Sequence, residues 1–483
     1  MDKNFCRNLT LLTDFYEITM GNGYFNEGLK DVDASFDVFF RTIPDDGGFA
    51  IMAGLEQVIE YIEELRFSEA DIQYLREQNL FNEQFLQYLA GFKFTCDIYA
   101  IPEGTPIFPG EPVLIVKGPI IQAQFVETLI LICINHQSLI ATKANRMVKA
   151  ADGRPVMEFG ARRAQGFDAA VYGARAACIG GCASTSNVLA AKMFGLKPAG
   201  TMAHSWVLAF DDEYAAFEAY ARNYPDDCVL LVDTYNTIKS GLPNAIKVFN
   251  EVLAPMGKRP LGVRLDSGDI TYLTKKMRTI LDEAGYPDCK IVASNSLDEY
   301  IISDMLNQGA KIDSFGIGER QITSSSSPVF GGVYKLSATW KNGRMIPAIK
   351  LSENVQKITT PGFKQVWRLY DNVSGKALAD VVTLFDEVID DSKDYEIFDP
   401  EHTWKRKNVY DFTAKPLLRQ LFKGGEFVGE RRSVNEIAAF CKEQVSLLWD
   451  EVRRFENPHK YYVDLSQELW DLKNDMLNKS SVK

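Results

Sequence analysis

The rhythm of apolar and polar positions changes twice along the chain. Up to about residue 145, short β-rich runs (ASFDVFFRTIP, FKFTCDIYAIPEGTPIF, PVLIVKGPI) are interleaved with amphipathic segments such as Leu55 to Leu65, where apolar residues recur at helical spacing. That mixture predicts an α+β layered domain over residues 1–145. From about residue 154, seven short apolar runs carry polar residues at their C-terminal ends: PVMEFGARRA, ACIGGCASTSN, AGTMAHSWV, VLLVDTYNT, LGVRLDSGD, KIVASNSLD and KIDSFGIGE. Each precedes a helical stretch. Strand then helix, repeated every roughly 20 to 35 residues, is the pattern of βα units on a parallel sheet, so residues 146–345 predict an α/β barrel, complete or irregular. Beyond residue 345 the chain becomes more polar. It ends in the helical segments VNEIAAFCKEQVSLLWDEVRRF and LSQELWDLKNDMLN, which predict an accessory domain over 346–483.

Composition leaves this picture intact and removes some partners. Hydrophobic residues at 46% and charged residues at 24% are ordinary for a folded globular protein. The 53 Lys and Arg against 65 Asp and Glu give a net charge of −12 and a pI near 5.1, so no basic field attracts a nucleic-acid backbone. Thr13, Asp14 and Glu17 interrupt the apolar residues near the start, which predicts no export signal. The most apolar stretch, Phe125 to Ala141, carries Glu127, Asn135 and His136 and is expected to be a buried helix and not a membrane span. Eight scattered cysteines without a CxxC pair read as reduced thiols of a cytoplasmic protein. Cys178 and Cys182 lie four apart with no Cys or His nearby in sequence, which favours packing over metal binding.

In a βα barrel the loops at the C-terminal strand ends converge on one mouth, so the chemistry is sought there. Those ends carry Glu158, Arg162, Arg163, Ser184, Thr185, Ser186, Thr201, His204, Asp233, Thr234, Arg264, Asp266, Ser267, Asp269, Ser294, Asn295, Gly316, Gly318 and Thr323. Guanidinium forks match phosphate or carboxylate oxygens. Glycines and hydroxyls in GGCASTSN and FGIGERQITSSSS, placed where a strand turns into a helix, can hold an anion, although plain helix capping explains such loops equally well. Carboxylates among phosphate-binding groups, as in RLDSGD, point to Mg²⁺ or a sugar hydroxyl, with helix capping the alternative for Ser267 and Asp269. His204 stands at an expected strand end and could act as nucleophile, general base or a satisfied buried ring, with Asp233 on the next strand as its orienting carboxylate.

The series NLTLLTDFYEITMGNGYF, FFRTIP, EFGARRAQG, GGCASTSNVLA, GTMAHSWV, VDTYNT, GVRLDSGD, ASNSLDE, GIGE and GGVYKL resembles, in order and over most of the chain, the nicotinate phosphoribosyltransferases in their long bacterial form. The resemblance implies the type II phosphoribosyltransferase fold, an irregular α/β barrel with an N-terminal sandwich domain. It also implies transfer of phosphoribose from phosphoribosyl pyrophosphate to nicotinate, with ATP and Mg²⁺, through a phosphohistidine. By the same resemblance, His204 is the phosphohistidine and Asp233 its partner. Thr201, Arg264 and Tyr16 hold nicotinate, with Tyr16 reaching across a homodimer. Arg162, Asp266 and the loop holding Gly316, Gly318 and Thr323 hold the phosphoribosyl moiety. Glu319 and Arg320 in that loop depart from the small or neutral residues expected there. A nicotinamide or quinolinate enzyme of the same fold, a non-catalytic barrel and an unrelated aldolase or isomerase are the competing readings. The hydroxyl-rich, carboxylate-free GCASTSN favours the acid, and no strand end offers a Schiff-base Lys.

Overall fold

The computed structural model describes residues 8–354 and 357–481. The chain forms two compact units, one of residues 1–139, 329–432 and 439–483 and one of residues 140–328 with 433–438. The expected three consecutive stretches therefore merge differently, because sequence segments far apart complete a single sheet. In the first unit, the strand Asp33–Phe39 pairs on one side with Leu114–Pro119 and on the other with Val333–Lys341, in a seven-stranded sheet whose paired neighbours are all antiparallel. Phe36 stacks on Tyr334 at 4.9 Å between centroids, and the buried Lys364 ammonium meets Asp37 at 2.8 Å. The final strand of the expected 146–345 domain thus belongs to this sheet and not to the barrel. Helices Phe15–Asn26, Leu55–Glu64, Glu69–Glu77 and Glu83–Ala90 share its core. A four-stranded sheet ordered Phe412–Pro416, Lys364–Asp371, Ala377–Leu384 and Val463–Leu465 belongs to the same unit.

The second unit is built on six parallel strands in the order Ser184–Thr185, Val156–Glu158, Ser314–Ile317, Lys290–Asn295, Gly262–Leu265 and Val229–Leu231. Six of the seven expected strands are present. The seventh run, GTMAHSWV, forms no strand; Thr201–Ala203 is irregular and helix His204–Leu208 follows directly. The two edge strands do not pair with each other, which makes the barrel irregular. Helices follow the strands, and several start on side-chain caps: Asn187 accepts from Ala190 N, Asp269 from Tyr272 N and Asp298 from Ile301 N. Asp269 is therefore a helix cap.

The apolar helical run is longer than its sequence core indicates. Helical residues span Ile120–Ala150, long and apolar enough to cross a membrane, yet 67% of the most apolar window is buried within the protein. Ile130, Ile134, Ile140 and Ala144 are fully enclosed, as expected of a core helix.

Candidate functional site

Arg264 is the hub of the site. It is the third residue of strand Gly262–Leu265, and its side chain, 13% exposed, donates to three different elements. Nε reaches Ser294 Oγ, Nη1 reaches Thr201 Oγ1 and Nη2 reaches Asp266 Oδ1, each at 2.8 Å. A guanidinium has five N–H groups, so two remain for a ligand. Its planar face lies over the Phe159 ring at 5.7 Å, which fixes the fork's plane as a lysine could not be fixed. Ser294 Oγ also donates to Asp266 Oδ1, closing the network.

Asp233 supports the adjoining loop. Its Oδ2 accepts from Asp266 N at 2.9 Å and Ser267 Oγ at 2.6 Å, while its Oδ1 is buried without a hydrogen-bond partner. This corrects the expected Asp233–His204 pairing. The backbone of RLDSGD lies within reach of the Asp233 carboxylate, whereas the imidazole Nδ1 of His204 meets Thr234 Oγ1 at 3.1 Å. On the other side of the ring, Nε2 is 3.9 Å from Asp266 Oδ2. His204 is the first residue of a short helix, half-buried, and not the end of a strand.

The other candidate residues fall in distinct places. Arg162 lies exposed in the turn Ala161–Arg163 after strand Val156–Glu158, and it carries no ion pair among the described residues. Its neighbour Arg163 faces Glu319 at 3.5 Å, and Arg320 pairs with Asp298, so the two charged residues of the GIGER loop are engaged at its flanks. Gly316 and Gly318 are glycines for packing reasons. A Cβ on Gly316 would lie 2.4 Å from the Phe159 ring, and one on Gly318 would lie 2.8 Å from the Phe159 carbonyl oxygen. Thr323 closes the short helix Glu319–Ile322 by donating to the Glu319 carbonyl at 2.7 Å. Tyr16 lies in the other unit, in helix Phe15–Asn26, with 44% of its surface exposed. Partial burial and the nearby Glu127 carboxylate push its phenol above the ordinary range.

Three contributors carry no role in the sequence resemblance. Phe159 backs Arg264, and Thr234 and Ser294 stand in the sequence only as two hydroxyls among many at strand ends. Glu158 is a fourth, fully buried, accepting from Gly160 N and from Thr185 Oγ1 at 2.6 Å; burial raises its carboxyl above the usual range. By holding Gly160 it shapes the turn that carries Arg162. Among the described residues no group of three or more His, Cys, Asp or Glu side chains is arranged to hold a metal alone. Cys178 and Cys182 are buried, and Cys182 accepts a hydrogen bond from Gln321 at 3.2 Å. The Asp266 backbone N–H meets Asp233 Oδ2, and the orphaned Asp233 Oδ1 lacks a donor, so this carboxylate oxygen would suit a Mg²⁺ ion that takes most of its ligands from phosphate and water.

Known proteins resemble the chain along nearly its whole length. Residues 11–135 match the nicotinate phosphoribosyltransferase N-terminal domain, residues 155–383 the family's main model and residues 363–473 its C-terminal domain. The chain is 43% identical to nicotinate phosphoribosyltransferase of Bacillus subtilis, covering 96% of this chain and 94% of that protein. It is 32% identical to the Homo sapiens nicotinate phosphoribosyltransferase, covering 96% of each. The crystal structure of human nicotinic acid phosphoribosyltransferase superposes with a TM-score of 0.84 at 30% identity, over 96% of this chain and all of that one. A nicotinate-nucleotide pyrophosphorylase from Pyrococcus furiosus shares the fold at a TM-score of 0.70 and 24% identity, over 92% of this chain and 98% of that one. With all three family models matched in order along the chain and an Arg-Asp-hydroxyl network at the strand ends, the protein belongs to the nicotinate phosphoribosyltransferase family.

Proposed function

We propose that the protein transfers the phosphoribosyl group of phosphoribosyl pyrophosphate to nicotinate, coupled to ATP hydrolysis through a phosphohistidine at His204, as the first step of NAD synthesis from nicotinate. The reading rests above all on Arg264, a guanidinium held in plane by three neighbours with two N–H groups to spare for the nicotinate carboxylate. In the transfer, the pyridine nitrogen forms a bond to ribose C1 as the C1–O bond to pyrophosphate breaks. The ring nitrogen is already a nucleophile, so no strong general base is needed. Negative charge grows on the leaving group and positive charge on the sugar. In this proposal Arg162, exposed in its turn, meets the former, and Asp266, on the loop after Arg264, the ribose. Held in part by Asp233, Mg²⁺ would neutralise part of the pyrophosphate charge. Thr201 shares its hydroxyl with Arg264 and completes the carboxylate end of the acceptor site.

A homodimer is part of the proposal. Phe167, Val188, Leu208 and Tyr235, each on a segment following a strand end or beside His204, are 60–74% exposed, as are Leu12, Phe15, Tyr16 and Met20 at 38–54% around the first helix. Apolar surface of this kind is covered in an assembled protein. A second copy supplying Tyr16 would cover side chains of both groups. The described cysteines are all free thiols, which supports the cytoplasm as its compartment.

The test is a steady-state comparison of nicotinate, nicotinamide and quinolinate with and without ATP, together with γ-labelled ATP. Nicotinate alone turns over efficiently, and acid-labile, base-stable label appears in the wild type. In His204→Ala the label vanishes and slow, ATP-independent transfer remains. Comparable turnover of nicotinamide at equal concentration, or label persisting in His204→Ala, refutes the reading.

A further inference from the structure

The His204 ring offers its two nitrogens unequally. Nδ1 is covered by the Thr234 hydroxyl at 3.1 Å, while Nε2, 3.9 Å from Asp266 Oδ2, has no hydrogen bond within 3.5 Å among the described residues and belongs to a side chain 40% exposed. One helix, Glu213–Asn223, supports both halves of the His204–Thr234 contact. On the histidine side, Trp206 donates from its indole Nε1 to Ala216 O at 3.0 Å and meets the Tyr220 ring edge-on at 5.9 Å. On the threonine side, the buried Glu213 carboxylate accepts from Ser240 Oγ and from Asn244 Nδ2 at 3.1 Å, tying down the π-helical turn Thr237–Gly241 that follows Thr234. A π-helical turn at this point is consistent with a segment shaped for function.

We infer that Thr234, and not Asp233, is the positioning residue of His204: its hydroxyl accepts the Nδ1 proton, leaving Nε2 as the bare nitrogen that takes the phosphoryl group. The inference rests on the phosphohistidine proposed above and specifies which nitrogen reacts. The Nε2 lone pair forms a bond to the γ-phosphorus of ATP, the bond from that phosphorus to the β-bridging oxygen breaks, and ADP departs with the electron pair. The Nδ1 proton stays in its hydrogen bond to Thr234 Oγ1. A hydroxyl can orient the ring because, uncharged, it accepts the Nδ1 proton without drawing it off the ring.

Two measurements on the full-length enzyme test this. With only four histidines in the chain, nitrogen-15 NMR of histidine-labelled protein at about pH 8.5, two units above the ordinary imidazole value, resolves the His204 tautomer, assigned by its loss in His204→Ala. Wild type shows the proton on Nδ1, Thr234→Val shows mixed tautomers, and Thr234→Ser restores the wild-type pattern. The proton on Nε2 in wild type, or an unchanged tautomer in Thr234→Val, overturns the assignment, and the wild-type spectrum decides alone should Thr234→Val fail to fold. Phosphorus-31 NMR of the enzyme treated with ATP then identifies the phosphorylated nitrogen. Attachment at Nε2, about tenfold slower in Thr234→Val for the loss of one hydrogen bond and recovered in Thr234→Ser, is the expected result. Attachment at Nδ1, or an unslowed Thr234→Val, overturns it. Absence of phosphohistidine with the Nδ1–H tautomer intact refutes the phosphohistidine reading alone.

Discussion

Replacing Arg264 by lysine preserves the charge and removes the fork. The guanidinium spans Ser294, Thr201 and Asp266 at 2.8 Å each, and its side chain is 13% exposed, so little water is available to replace what is lost. A lysine ammonium is one nitrogen on a flexible stem and keeps Asp266 as its natural partner, leaving the Ser294 and Thr201 hydroxyls without their cationic donor. In the proposed nicotinate complex, the two N–H groups offered to the carboxylate become at most one. A charge-assisted hydrogen bond lost in a sheltered site costs about 1.5–3 kcal/mol, which at about 1.4 kcal/mol per factor of ten is an increase of roughly 10- to 150-fold. The expected outcome for Arg264→Lys is therefore a rise of that size in the nicotinate KM, measured from initial rates at saturating phosphoribosyl pyrophosphate and ATP. A thermal melt within a few degrees of wild type shows that the fold is intact. A nicotinate KM within threefold of wild type in a folded variant refutes the role assigned to the guanidinium.

Three further outcomes follow from other parts of the molecule. Glu111 is fully buried, and burial, reinforced by the neighbouring Asp380 charge and outweighing Arg368 and the hydrogen bond from Phe108 N, raises its carboxyl well above the ordinary value of 4.5. The folded state thus keeps a proton that the unfolded chain releases, so this contribution to stability is complete below about pH 4.5 and is lost as the pH rises through the folded value; Glu111→Gln flattens that fall in urea-unfolding midpoints between pH 5 and 8, and an unchanged slope refutes it. At Gly241 a Cβ would lie 1.9 Å from the carbonyl oxygen of Val232, immediately before Asp233 and Thr234, so Gly241→Ala must shift backbone and is expected to cost about 2–4 kcal/mol by denaturant unfolding while lowering turnover. Mixed dimers of Tyr16→Ala and His204→Ala chains are expected to regain part of the wild-type activity, because under the proposed sharing of Tyr16 between subunits one of their two sites is intact; verified mixed dimers without recovery refute the sharing.

Much of the barrel unit is legible in the sequence because its signals are local. Each apolar run buried on both faces declares its own strand, and the polar residue that ends it marks the mouth, so Arg264, Asp266 and Asp233 can be placed there before any coordinates are known. The same locality explains what stayed hidden. GTMAHSWV has the composition of a strand end, yet strand formation needs a neighbour to share its hydrogen bonds, and Thr201 and His204 instead occupy a coil and a short helix. Nothing in VDTYNT tells which of two adjacent polar side chains faces the imidazole. That choice belongs to the helix Glu213–Asn223, which grips Trp206 on one side and the turn after Thr234 on the other. The sequence reads Gly316 and Gly318 as phosphate-loop glycines, whereas the second demand on them, that the ring and carbonyl of Phe159, distant in sequence, fill the space a Cβ would take, is visible only in the folded chain. The strand Val333–Lys341 likewise follows the barrel repeats in sequence but pairs with Asp33–Phe39, and the buried ion pair between Lys364 and Asp37 and the stacking of Tyr334 on Phe36 belong to that distant partnership. Periodicity determines which residues face inward and what kind of element they build; the choice of partner is made by contacts across hundreds of residues, whose shape and charge complementarity exist only once the chain is folded.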